Sequence, residues 1–111
     1  MRESAVERKL VKGIRKLGGM AFKFVSPGHA GVPDRLVLLP GGRMIFVELK
    51  TTTGRLSALQ LVTHINLTEL GFPVRTLHGT EEVDQFLEEV MSDAFQALSV
   101  SAGGRTMDSG A

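Results

Sequence analysis

The chain has 111 residues, 42% of them hydrophobic and 23% charged, with a formal charge of +1 and no cysteine. That length suits one domain with a modest core, and the composition is that of a soluble globular protein. No apolar run is long enough to span a bilayer, and the missing cysteines exclude disulfides, thiolate nucleophiles and the usual structural zinc sites, so any metal must take oxygen or imidazole ligands.

Ser4 to Leu17 reads as the first helix, with Val6, Leu10, Ile14 and Leu17 at helical spacing and Gly18-Gly19 ending it. Ser4 and Glu7 fit a capping box. MAFKFV (20–25) alternates as a first strand, and SPGHAGVP (26–33) is a loop by its glycine and proline content. Two apolar runs follow, Arg35 to Leu39 and Met44 to Leu49, joined by Pro40-Gly41-Gly42-Arg43 as a hairpin. Both runs are apolar throughout, which predicts a sheet covered on both faces. Ser57 to Leu70 forms a second helix with another capping box, Ser57 with Gln60, and Gly71 stops it. Pro73 admits a fourth strand, VRTLH (74–78), and Thr80 is the expected cap of a third helix whose first turn holds Glu81 and Glu82. Residues 1–92 thus read as one domain and 93–111 as a flexible tail, small and polar from Ser99 onward. The N-terminus, MRESAVERKL, has charges where a secretory signal holds its apolar core, so a cytoplasmic location is expected.

Charge is unevenly placed along this α/β order of helix, three strands, helix, strand, helix. Arg8, Lys12 and Arg15 lie along one face of the first helix, a stripe suited to a polyanion or simply to water. Asp34 and Glu48 fall in the apolar hairpin, where a carboxylate is costly unless something cationic meets it. A divalent cation would satisfy both, since hard ions take one or two carboxylates plus water and substrate phosphate. Lys50 shares a strand face with Glu48. The bland reading is that Lys50 neutralises Glu48 and Asp34 is a turn residue, but it leaves the conjunction of Gly31-Val32-Pro33-Asp34 with Glu48-Leu49-Lys50 unexplained.

With Glu7 in the first helix, Gly54-Arg55-Leu56-Ser57 and Gln60 after the lysine, and a Leu67-Thr68-Glu69-Leu70-Gly71 stretch leading into a strand, the chain resembles the VRR-NUC domain of the PD-(D/E)xK nuclease superfamily from about Glu3 to Val90. The resemblance implies a restriction-endonuclease-like core, a mixed sheet flanked by helices in the order αβββαβα, and Mg²⁺- or Mn²⁺-dependent hydrolysis of DNA phosphodiesters by a homodimer. It implies that Asp34, Glu48 and the Leu49 carbonyl bind the metal, that Lys50 positions the attacking water, and that Gln60 and Glu7 assist, Glu7 as an outer or second-metal ligand. Capping boxes at Ser4 and Ser57 remain rival uses for Glu7 and Gln60. His29-Ala30 stands where many family members carry an arginine, which leaves His29 and Arg35 as candidate phosphate contacts beside Arg8, Lys12, Arg15 and Arg55. Without a recognition helix or stacking aromatics, cutting is expected to follow DNA structure, such as a four-way junction, and not sequence. An idle DNA-binding or assembly module of the same fold is the alternative. His64 falls one turn after Gln60 and could line the same face, but a lone histidine on a helix reads first as a surface residue.

The shared metal site also fixes a register. A two-residue Gly41-Gly42 loop would place Asp34 opposite Leu49 and send the two carboxylates to opposite faces. The chemistry therefore predicts a shift of one residue, through a three- or five-residue loop or a bulge, that sets Asp34 across from Glu48.

Overall fold

In a computed structural model of the chain, the backbone is described for residues 3–104 and side-chain environments for residues 4–93. The elements are α1 (Glu3–Lys16), β1 (Met20–Lys23), β2 (Arg35–Leu39), β3 (Arg43–Lys50), α2 (Ala58–Glu69), β4 (Val74–His78) and α3 (Gly79–Gly104). This is the expected order. The four strands form one mixed sheet in the order β1-β2-β3-β4, an antiparallel meander closed by a parallel β3/β4 pair that α2 connects.

Strand alternation divides the sheet into two unlike faces. Val37, Leu39, Ile45, Val47, Leu49 and Leu77 point to one side and are buried with Val6, Leu10 and Ile14 of α1 and Val83, Phe86 and Val90 of α3. This is the hydrophobic core, and no residue of α2 belongs to it. Gly13 lets the two helices close, since a β-carbon there would overlap the Leu87 side chain.

The opposite face carries Leu36, Leu38, Phe46, Glu48 and Lys50. Here the expectation of a sheet covered on both sides meets only part of its cover. Phe24, Phe46 and Phe72 stack edge to face at 6.2 Å, and α2 lies over Glu48, but Met20 and Phe22 stay exposed.

Three helix ends differ in detail. α3 begins at Gly79, before Thr80, and its start is held by Glu82, whose carboxylate accepts the His78 backbone N–H at 2.7 Å. The α3 backbone continues through Gly104, past Ser99, and residues 105–111 of the expected tail lie outside the described residues. α1 starts at Glu3, so Ser4 is inside the helix, and Glu7 turns to an arginine instead of a cap.

Candidate nuclease site

The hairpin decides the site. Leu39 pairs with Arg43 and Arg35 with Val47, so Pro40, Gly41 and Gly42 form a three-residue loop. Pro40 has no N–H to give a ladder, and Gly41 and Gly42 supply φ values of +84° and +78°. Continued one step past Arg35, this register sets Asp34 across from Glu48, as the shared-site argument requires. The Phe24 N–H bonds the Asp34 carbonyl at 2.8 Å, and the Leu49 N–H donates to Asp34 Oδ1 at 3.2 Å. Asp34 is thereby tied to the strands on both sides of it.

Glu48 is 4% exposed, and its neighbours come from two elements. Lys50 Nζ stands 3.8 Å from Oε2, and Gln60 Nε2 donates to Oε2 at 3.3 Å. His64 Nε2 stands 3.9 Å from Oε1. Gln60 also completes the capping box, with its Oε1 accepting the Ser57 N–H at 2.9 Å and its own N–H donating to Ser57 Oγ at 3.1 Å. Gln60 therefore both caps α2 and contacts Glu48.

The loop before Asp34 is seated on α2. Gly31 has φ +88°, and a β-carbon there would lie 2.7 Å from Thr63 Oγ1 and 2.8 Å from the Leu59 carbonyl. Thr63 Oγ1 donates to the Ala30 carbonyl at 3.4 Å. Glycine is needed here for conformation and for space.

Glu7 and Arg35 meet each other first. Arg35 is 5% exposed; its Nη2 lies 3.1 Å from Glu7 Oε2, and its Nη1 donates to the Asp34 carbonyl at 3.1 Å and lies 3.8 Å from Asp34 Oδ2. Arg35 alternates with Val37 and Leu39 toward the core, so its guanidinium is turned inward and links Glu7 to Asp34. Both carboxylates border one open concavity with Lys23 and Arg35. The remaining candidate phosphate contacts, Arg8, Lys12, Arg15, His29 and Arg55, are exposed. The α1 stripe lies on the helix layer away from α2, while His29 and Arg55 sit in the loops that enter the site from Ser26 and from Thr51.

His64 is the residue that sequence reasoning placed wrongly. It is 6% exposed, and its Nε2 has no hydrogen-bond partner among the described residues. Burial pushes its pKa below the ordinary value and the Lys50 ammonium adds to that, against an opposing pull from Asp34. Its position one turn after Gln60 was the available signal. Among the described residues no three His, Asp or Glu side chains converge as a ready metal cage, and no helix is long and apolar enough to cross a membrane.

No protein-family model matches the chain. A protein of Acyrthosiphon pisum secondary endosymbiont phage 1, named "Putative nuclease p44", is 51% identical over 81 residues, which are 73% of this chain and 87% of that protein. A solved structure titled VRR_NUC domain superposes with a TM-score of 0.73 at 31% identity, covering 78% of this chain and 94% of its own. The fold and site define a nuclease of the restriction-endonuclease-like class. Within that class, the chain belongs to the VRR-NUC family.

Proposed function

We propose that the protein is a divalent-metal-dependent DNA endonuclease that selects branched DNA by structure and works as a homodimer in the cytoplasm of a bacterial cell or phage-infected host. The register that sets Asp34 across from Glu48, with Lys50 two residues further on, carries this reading. Two carboxylates and the Leu49 carbonyl are hard oxygen donors, a set that fits Mg²⁺ or Mn²⁺ when water and a phosphate oxygen complete the shell. Such an ion supplies Lewis acidity, lowering the pKa of a bound water and offsetting charge on the phosphate.

The chain's own residues do the rest. Asp34, held by the Leu49 N–H, and Glu48, held by Gln60, stand across from each other in the β2/β3 register. The Lys50 ammonium, beside Glu48 Oε2, orients the attacking water by hydrogen bonding and balances the negative charge that gathers during attack. The Arg35 guanidinium fixes Asp34 from the core side, and Glu7 fixes Arg35. Exposed bases on α1 and in the two loops engage flanking phosphates without reading sequence.

The outer face of α2 supports the homodimer. Leu61, Val62 and Ile65 recur at helical spacing and are 50%, 53% and 48% exposed, an apolar stripe that a second copy would cover across a two-fold axis. The test is nicking of plasmid, flap and four-way junction DNA with Mg²⁺, Mn²⁺ or EDTA, beside binding measured in Ca²⁺. Cleavage restored by Mg²⁺ or Mn²⁺ after EDTA and strongest on junctions is the expected result. Binding in Ca²⁺ with no cleavage under any metal would leave an idle DNA-binding module instead.

A further inference from the structure

We propose that His64 is a positioning residue of this nuclease site, its imidazole Nε2 holding the Oε1 side of the Glu48 carboxylate while Gln60 and Lys50 hold the Oε2 side. The inference rests on the endonuclease reading and adds to it a group that the family motif quoted above does not contain.

Three observations carry it. First, the inward face of α2 is polar: Gln60 and His64, one turn apart, meet the two oxygens of a single carboxylate. Second, His64 Nε2 is buried with no hydrogen-bond partner among the described residues, and Glu48 Oε1 stands 3.9 Å from it. At 3.9 Å the pair exceeds hydrogen-bond length, yet a water in line between them would need about 5.5 Å. The imidazole and the carboxylate therefore stand side by side with no room for a water in line, and an approach of under ~1 Å would make the contact a hydrogen bond. Third, the backbone that carries His64 is fixed on both sides, by Thr63 Oγ1 donating to the Ala30 carbonyl and by Thr68 Oγ1 donating to the His64 carbonyl at 2.9 Å.

The consequence for chemistry is rotational. A carboxylate offers a cation different lone pairs in different rotamers, and a ligand that swings loses affinity and aim. With one oxygen held from Gln60 and Lys50 and the other from His64, Glu48 has one orientation. His64 needs to donate an N–H to do this and need not change its charge.

The test compares wild type with His64→Leu, which keeps bulk and removes the donor, and His64→Gln, which keeps a donor. Mn²⁺ affinity is read by calorimetry, and kcat and KM by junction cleavage. His64→Leu is expected to weaken Mn²⁺ binding and lower kcat, each by tenfold or more, with KM for DNA unchanged, and His64→Gln to recover both to within about threefold of wild type. A folded His64→Leu protein equal to wild type in both, or a His64→Gln protein no better than His64→Leu, overturns the proposal.

Should His64→Leu fail to fold, ¹⁵N spectra of the wild-type imidazole decide. A protonated Nε2 whose resonance moves in Glu48→Gln supports the proposal, and a resonance indifferent to Glu48→Gln overturns it. Wild-type protein that binds no Mn²⁺ and cuts no DNA would overturn the endonuclease reading and this inference together. Wild type that does both while His64→Leu behaves identically sinks the inference alone.

Discussion

Gln60 uses both ends of its amide, Oε1 closing the first turn of α2 and Nε2 meeting Glu48. Beside it, Lys50 is expected to act on water and not as a ligand. Lys50→Ala should therefore keep its fold and bind Mn²⁺ normally while cleavage falls by about two to four orders of magnitude. Single-turnover rates beside metal titrations check this, and near-normal cleavage would remove the lysine from the mechanism. Away from the site, the His78 backbone N–H, its main partner, holds the Glu82 carboxyl below its ordinary value of 4.5. A carboxylate favoured by folding stabilises the protein above its unfolded pKa, and that stabilisation is lost as pH falls through the lower folded value. The Glu82 side chain is about half exposed, so screening limits its worth, and Glu82→Ala should cost no more than about 1 kcal/mol at pH 7. The gap to wild type should narrow below pH 4.5, which melting curves across pH would show. Asp34, Glu48 and Lys50 stood out in the sequence as charged residues in an apolar hairpin, and Gln60 through the family resemblance; the structure brings Glu48, Lys50 and Gln60 together and ties Asp34 to Leu49. Arg35, considered as a phosphate contact, is buried against Glu7 and Asp34, a placement that simple alternation with Val37 and Leu39 already signals. His64 was given to the surface because a lone histidine on a helix is more often there, and the carboxylate it meets lies on a strand sixteen residues earlier.

The hairpin shows what an element can disclose before its structure is seen. A regular two-residue turn is the commoner choice for Gly-Gly, yet a site shared by two carboxylates called for a shift of one residue, by a three- or five-residue loop or a bulge, and the three-residue loop that Leu39 and Arg43 close supplies it. Helix ends were less legible. Serine, glycine and alanine after Leu98 are weak or neutral signals, and α3 runs on through them to Gly104. The loop–helix seam at Gly31 was visible only as part of a motif, because its meaning lies in a contact with Thr63 and Leu59 far along the chain. Gly31→Ala combines a positive φ with a clash against the α2 backbone, so it should destabilise by about 1 kcal/mol or more. It should also lower cleavage by shifting Asp34 relative to Gln60. Urea unfolding beside junction cleavage checks both, and a variant of unchanged stability and rate would mean that loop and helix are not coupled.

For the whole molecule, the outward stripe of α2 and the exposed Met20 and Phe22 make the α2 side of the sheet the apolar side of the surface. Leu61→Glu together with Ile65→Glu should turn a sedimenting dimer into a monomer, and wild type that sediments only as a monomer would remove the homodimer. The same helix has a second property with thermal consequences. It gives the interior only Thr63 and His64, and no residue to the hydrophobic core. Elements held by a few polar contacts open at lower free energy than the core they rest on, so α2 should exchange its amide hydrogens faster than β3 does. That protection should rise with protein concentration as the second copy covers the stripe. Hydrogen exchange at two concentrations measures it, and equal protection of α2 and β3 would refute it. The order of failure to expect is that on warming the helix lifts first, Gln60 and His64 leave Glu48, and cutting stops while the sheet is still folded.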